Sequence, residues 1–290
     1  MTAGMNLWSD VSAIAMTVQE NALFAIQDSS LMPQLVTVRG DLTGMNLRKL
    51  YEYGASGGVK QLAETDDLAS EAITPALLGT LTPYEYGKQY FIKDTRVDSE
   101  APEDIIRDAS AQLGYDAISK IETDLVGDMA SLTGGTIGAA GTAITWSYLG
   151  AAIARARNAS KSLAFPLVAV IHGYQAAVLA KSASIAGATV GVAPGVQDEV
   201  TRNGITRAFT YLDVPIFQSF VDPDANDDFT GGVFRRDALM IDYRKAFAVH
   251  PQRDESRRGL ELNFVGVYAH GVYRPTLGIK MIFDATAPSS

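Results

Sequence analysis

The residues of this chain that could do chemistry are few, and their spacing limits what each could be. His172, His250 and His270 are its three histidines. No two stand at the i, i+4 helical spacing that brings two imidazoles to one metal. His172 follows the apolar run FPLVAVI, where the end of a buried strand could present a general base. A packing or capping histidine is the competing reading. Asp222, Asp224 and Asn226 copy the first three ligand positions of a calcium loop. Asp227 then stands where that loop needs Gly, and Val233 where it needs a bidentate Glu. The stretch reads as a polar loop, with a weak divalent-ion site at Asp222/Asp224 as the alternative. Gly134, Gly135, Gly138 and Gly141 crowd TGGTIGAAGT. A dinucleotide loop follows a strand and opens a helix, whereas this one follows a helical pattern, and no Gly-Lys-Ser/Thr is present. It reads as a hinge or linker. The Asp66-Asp67 pair lies in a polar segment with nothing to fix its geometry or raise a pKa. No catalytic residue, cofactor-binding set or metal site is expected, and an α/β enzyme reading rests on His172 alone.

The totals narrow the classes further. Of 290 residues, 47% are apolar and 20% charged, enough for one large domain or two modest ones with a sizeable core. There is no cysteine, which excludes disulfides, thiolate metal sites and cysteine nucleophiles. No apolar run approaches the roughly 18 residues of a membrane span. The start, MTAGMNLWSDVSAIAM, lacks a basic segment followed by an apolar one, so no signal peptide is expected and the protein is expected inside the cell that makes it. The net charge of −9 and the lack of a basic stripe argue against a protein that grips phosphates. Nucleic acid near this chain would be contained, not read.

The elements come next. Trp8, Val11, Ile14, Ala15, Val18, Ala22 and Ile26 recur at spacings of three and four, which predicts a helix over about residues 7–28. It either packs on the core or serves as an arm on a neighbouring subunit. LRKLYEYG and LTPYEYGKQYFI read as two extended segments flanking the polar KQLAETDDLASEAITP, like a long hairpin. On the second segment Tyr84, Tyr86, Lys88 and Tyr90 share one face, and Glu85, Gln89, Phe91 and Lys93 the other. With mixed residues on both faces such a hairpin is marginal in water and needs another surface.

SEAPEDIIRDASAQLGYDAISKIETDLVGDMASLTGG reads as one helix of about 30 residues, roughly 45–50 Å long. Pro102, Glu103 and Asp104 suit its first turn. Ile105, Ala109, Leu113, Ala117, Ile121, Leu125, Met129 and Leu132 form one apolar stripe, while Asp108, Asp116, Lys120, Asp124 and Asp128 lie opposite. That is the pattern of a half-buried strut. An α/β module follows, with a helix at TWSYLGAAIARARNAS, a strand buried on both sides at Phe165–Ile171, a second helix, and then strands around a turn at Asp213. The end is β, with Leu260, Leu262 and Phe264, then Leu277, Ile279, Met281 and Phe283, alternating to one face. VYAHGVYRP reads as a turn region, and HPQRDESRRG as a solvated loop or an interface salt-bridge network.

This order resembles the major capsid proteins of tailed phages with the Hong Kong 97-type fold, an α+β architecture. FPLVAVIHGYQAAVLAK, Arg236-Asp237-Ala238-Leu239 and Tyr273-Arg274-Pro275 are similar to stretches of that family. The resemblance implies an N-terminal arm (1–45), an E-loop (46–95), a P-domain segment with a spine helix (96–139), an A-domain (140–245) and P-domain return strands (246–290). It implies a subunit that assembles with copies of itself, as hexamers and pentamers, into an icosahedral shell enclosing double-stranded DNA without sequence-specific binding. Implied partners are a portal and a separate scaffolding or decoration protein; no membrane is involved. The implied place is the virion, after assembly in the host cytoplasm. Inter-subunit contacts are expected at Trp8 of the arm, at Arg48, Tyr51, Tyr84, Tyr86 and Tyr90 of the E-loop, and at Arg253, Asp254, Arg257 and Arg258. Lys60 and Lys88 are the lysines available for the cross-link some members make. An encapsulin-type compartment that binds cargo enzymes is the alternative within the same fold.

Overall fold

The computed structural model describes residues 30–53, 61, 74–95, 102–160, 166–185 and 209–288. The helix expected over residues 7–28, the polar middle of the hairpin and the segment before Pro102 fall outside the described residues.

A short helix α1 (Met32–Leu35) leads into strand β1 (Thr37–Arg39). Then come β2 (Arg48–Tyr53), β3 (Pro75–Leu81), β4 (Tyr84–Lys93) and the long helix α2 (Pro102–Asp128), which tightens into a 3₁₀ turn over Met129–Ser131. The second half holds β5 (Thr136–Gly138), α3 (Trp146–Ser160), β6 (Leu167–His172), α4 (Gly173–Ile185), β7 (Phe209–Tyr211), β8 (Val214–Ser219) and β9 (Asp228–Arg235). It ends in β10 (Leu239–Asp254), β11 (Gly259–Val272) and β12 (Gly278–Asp284).

Three sheets result. A four-stranded sheet has the order β1-β10-β11-β4 and a six-stranded sheet the order β5-β12-β9-β6-β8-β7; β2 and β3 form a ribbon of their own. The apolar stripe of α2 lies on the four-stranded sheet. Leu113, Ile121, Leu125 and Met129 are fully buried in one cluster with Ile241, Phe247, Phe264 and Tyr268. On β6 the alternation explains the unbroken apolar run. Ala169 and Ile171 face the cluster of α3 and α4, whereas Val170 faces the cluster of α2.

Three sequence expectations are corrected. LTPYEYGKQYFI is not the partner of LRKLYEYG. Its strand β4 pairs antiparallel with β11 from Tyr84↔Tyr268 to Lys93↔Gly259, and the ribbon partner of β2 is PALLGTL. The mixed faces of β4 reflect an edge strand with the α2 seam on one side. VYAHGVYRP is not a turn, because β11 runs on to Val272 and buries Tyr268 and Ala269 completely. The glycine-rich stretch is not a free linker. β5 pairs with β12, and at Gly138 (φ +82°) a Cβ would lie 2.4 Å from the carbonyl oxygen of Ile282. Glycine is there for a positive φ and a close approach.

The α2 stripe sets an expected outcome. Ile121→Ala leaves a cavity between helix and sheet and lowers unfolding stability by about 2–5 kcal/mol. Thr123→Ala, on the exposed side of the same turn, changes it by no more than about 0.5 kcal/mol. Urea denaturation followed by circular dichroism gives both values.

Candidate assembly surface

Among the described residues the β2–β3 ribbon packs its apolar side chains on the body at its base. Leu50 and Leu81 pack on Met240 and Ala269, with Tyr273 beside them. Electrostatics fix the same end. The Arg48 Nε is 2.7 Å from Asp242 Oδ2, and its Nη2 is 2.6 Å from Asp41 Oδ1. Asp242 is completely buried and also lies 2.8 Å from Arg244 Nη2 as an ion pair, so two guanidiniums flank one carboxylate on β10. These carboxylates raise the Arg48 pKa, against the opposing effect of its burial. Farther out, Arg274 Nε is 3.6 Å from Glu52 Oε1. Beyond that the ribbon is uncovered: Tyr51, Tyr53, Leu77 and Leu78 are exposed, with Leu42, Met45 and Leu47 in the approach to β2. Exposed apolar side chains gathered on one projection are what an interaction site presents.

A second group of side chains lies in the seam between α2 and the sheet. The Tyr90 hydroxyl donates to Asp116, and Lys88 Nζ sits 2.8 Å from the same carboxylate. One turn on, Lys120 bonds Asp124 at 2.6 Å and lies over the Tyr86 ring. The Tyr268 hydroxyl donates to Asp124 at 2.7 Å, and its ring stacks on Tyr86 with centroids 4.2 Å apart. His270 Nδ1 meets Asp128 Oδ2 at 2.9 Å. The charged side of the strut is therefore not simply solvated. Asp116, Asp124 and Asp128, at i, i+8 and i+12, bind a ladder of aromatic residues from β4 and β11. The i, i+4 rhythm of carboxylates on α2 was the available signal, but it names no partner until the sheet is known.

The tip of the β10–β11 hairpin carries the mixed-charge run. Arg253 reaches Asp94 at 3.0 Å and Glu255 at 2.8 Å. Asp254 Oδ1 accepts from the backbone N–H groups of Ser256 and Arg257, which with the Ser256 hydroxyl hold its carboxyl below the usual range. Arg257 lies over the Phe91 ring, and Arg258 is exposed in a left-handed conformation at φ +52°. The run is thus a closed turn between long strands, tied to the end of β4.

Among the expected contact residues, Trp8 lies outside the described residues, as does Lys60. Tyr51, Tyr84 and Arg258 are exposed, while Arg48, Tyr86, Tyr90, Arg253 and Arg257 already hold partners in their own chain. His172 is buried. Its Nδ1 accepts the Tyr174 N–H at 3.1 Å, its ring meets Tyr174 and Phe229, and burial lowers its pKa. It locks the strand-to-helix turn. Asp224 Oδ1 accepts the N–H groups of Asn226 and Asp228, which closes the loop on itself. Among the described residues no three His, Asp or Glu side chains converge as a metal site. Gly54-Ala55-Ser56-Gly57-Gly58 has the spacing of a nucleophile elbow. It lies outside the described residues and follows a strand of the two-stranded ribbon, not of a central sheet.

No protein-family model and no curated protein sequence matches this chain. Solved structures do. A Mycobacterium phage Che8 structure superposes with a TM-score of 0.63 at 16% identity, covering 90% of this chain and 93% of that one. The capsid structure of the cyanophage P-SCSP1u gives 0.62 at 14% identity, covering 89% of each. A virus-like particle from Pyrococcus furiosus gives 0.58 at 10% identity, covering 91% of this chain and 97% of that one. The fold is the α+β capsid fold of tailed phages.

Two outcomes follow from the site. Arg48→Ala removes two charge-assisted contacts at the ribbon base and costs about 2 kcal/mol; hydrogen exchange of residues 48–53 and 75–81 accelerates more than that of α2. The second concerns pH. Asp128 raises the His270 pKa above 6.5, although burial opposes it, with Asp124 adding to the rise and Lys120 opposing it. The imidazolium–carboxylate contribution is therefore fully present below about pH 6.5 and fades as pH rises through the folded-state value. Chemical denaturation from pH 6 to 8.5 shows a loss of stability on the alkaline side, and His270→Gln removes that part of the profile.

Proposed function

We propose that this chain is a major capsid subunit, a structural protein that assembles with copies of itself into a closed icosahedral shell around double-stranded DNA. The observation that carries the reading is the ribbon. On a capsid fold, a two-stranded projection whose apolar packing lies at its base exposes Tyr53, Leu77 and Leu78, and a lone ribbon gains too little in water to justify that exposure. A neighbouring copy supplies the missing surface, and residues 46–95, with the ribbon as their projecting part, are the E-loop. Residues 1–45 are the arm, α2 is the spine, 140–245 form the A-domain and the last 45 or so residues return to the P-domain. Tyr51, Tyr84 and Arg258 are the contact residues free to meet a neighbour without giving up an intrachain partner described above.

Repetition supplies the strength. Weak contacts around closed rings of hexamers and pentamers combine by avidity. The net charge of −9 suits a container whose DNA must leave. A portal and a scaffolding or decoration protein complete the virion, which is assembled in the host cytoplasm.

Replacing residues 54–74 with a short turn tests the assignment. The truncated chain keeps its circular dichroism spectrum and elutes as small species, while the full chain forms shells visible by electron microscopy. Shells of normal size from the truncated chain would refute the E-loop role. A full chain that stays a stable monomer at every concentration would refute the capsid reading.

A further inference from the structure

Asp242 sits where the ribbon meets the body, and two arginines reach it in unequal ways. Arg48, at the start of β2, is well aligned. Its Nε donates to Oδ2 at 2.7 Å and its Nη2 to Oδ1 at 3.1 Å, so both carboxylate oxygens are engaged by one planar fork. The same Nη2 also donates to Asp41, which is largely exposed. Arg244 is not aligned. Its Nη2 lies 2.8 Å from Asp242 Oδ2, yet among the described residues its Nε, Nη1 and Nη2 make no hydrogen bond. The side chain is only 1% exposed, so bulk water does not replace what is missing. A buried cation that gains so little from its counter-ion is costly.

The backbone explains why it is there. β10 and β11 pair Tyr243 with Tyr268 and Lys245 with Val267, so Arg244 is an extra residue on β10. Such a bulge re-aims a side chain. Here it keeps a second guanidinium beside a carboxylate whose two oxygens Arg48 already holds. The two arginines therefore compete for one anion. Were Arg48 withdrawn with the ribbon, a carboxylate without an aligned partner would be left in the wall of the body, and Arg244 stands within reach of it.

We propose that Asp242 is a two-way latch: it fastens the ribbon through Arg48, and when the ribbon base lifts, the carboxylate passes to Arg244, which gains the hydrogen bonds it now lacks. Arg48 then retains Asp41 and gains water. No charge is stranded on either side of the exchange, so the ribbon can leave and return without unsettling β10. The latch belongs to the single chain and does not need a neighbouring copy.

Amide hydrogen exchange of the full chain tests this, read over residues 48–53 and 75–81 with α2 as the reference. Arg244→Met removes the competitor and deprives the lifted state of its compensation. Ribbon exchange slows about tenfold or more while α2 is unchanged. In an Asp242→Asn background, with no carboxylate to hand over, the same substitution alters ribbon exchange by less than about twofold. A crystal structure of Arg48→Ala gives the second readout: Arg244 turns to place two nitrogens within about 3 Å of the Asp242 oxygens. Unchanged or faster ribbon exchange in Arg244→Met would make Arg244 a prop of the base and overturn the proposal. Equal slowing in the Asp242→Asn background, or an unmoved Arg244 in Arg48→Ala, would do the same. So would an Arg244→Met chain that fails to fold, since Arg48 alone could not then satisfy Asp242.

Discussion

The burial of one helical stripe against one long hairpin governs this molecule. From Leu113 to Leu125, α2 places an apolar side chain at nearly every turn in the cluster it shares with β10 and β11. Each fully buried aliphatic side chain contributes about 1.5–3 kcal/mol. No other element of the described residues is so long and so continuously partnered. Because the hairpin strands pair over almost their whole length, the helix and sheet form a stiff girder. The other pieces are attached to its ends or edges. The six-stranded sheet joins through Val170, Phe229 and Phe234, which belong to the girder's own cluster.

The seam between girder and edge strand adds specificity more than strength. Partly exposed ion pairs such as Lys88–Asp116 contribute little. Hydroxyl-to-carboxylate bonds from Tyr90 and Tyr268 are directional. Together they fix the register of β4 on β11, since a slip of one residue would turn Tyr86 and Tyr90 away from the helix. β4 is in turn joined to β3 through the short link at Thr82 and Pro83. Setting the register of β4 therefore also sets where the ribbon leaves the body.

What was legible in the sequence was what local periodicity carries. The α2 stripe, the doubly buried β6, and the Ile279, Met281 and Phe283 face of β12 all follow from spacings of 3.6 or 2. What was not legible depended on choosing among partners. LTPYEYGKQYFI is a strand on any reading, but whether it pairs with LRKLYEYG or with LELNFVGVYAH depends on nonlocal packing. PALLGTL has too few β-branched residues to announce a strand, and it is one because β2 needs a partner. The aspartates of α2 were readable as a face, not as ligands of tyrosines more than 140 residues away in the case of Tyr268. The competition of Arg48 and Arg244 for Asp242 was invisible for the same reason, because Arg48 lies 194 positions from that carboxylate.

The division between girder and periphery bears on the proposed assembly. A chain whose core is complete can fold before it meets a neighbour, so in the proposed shell its contacts need only be strong in number. Each chain carries nine negative charges in excess, and crowding like charges into such a shell is unfavourable until salt screens them. Apolar contacts at the ribbon are short-ranged and insensitive to that repulsion. On the proposed reading, a particle held by many apolar patches and opposed by a diffuse charge would close reversibly until enough contacts had formed, so that misplaced copies could leave before the ring is complete.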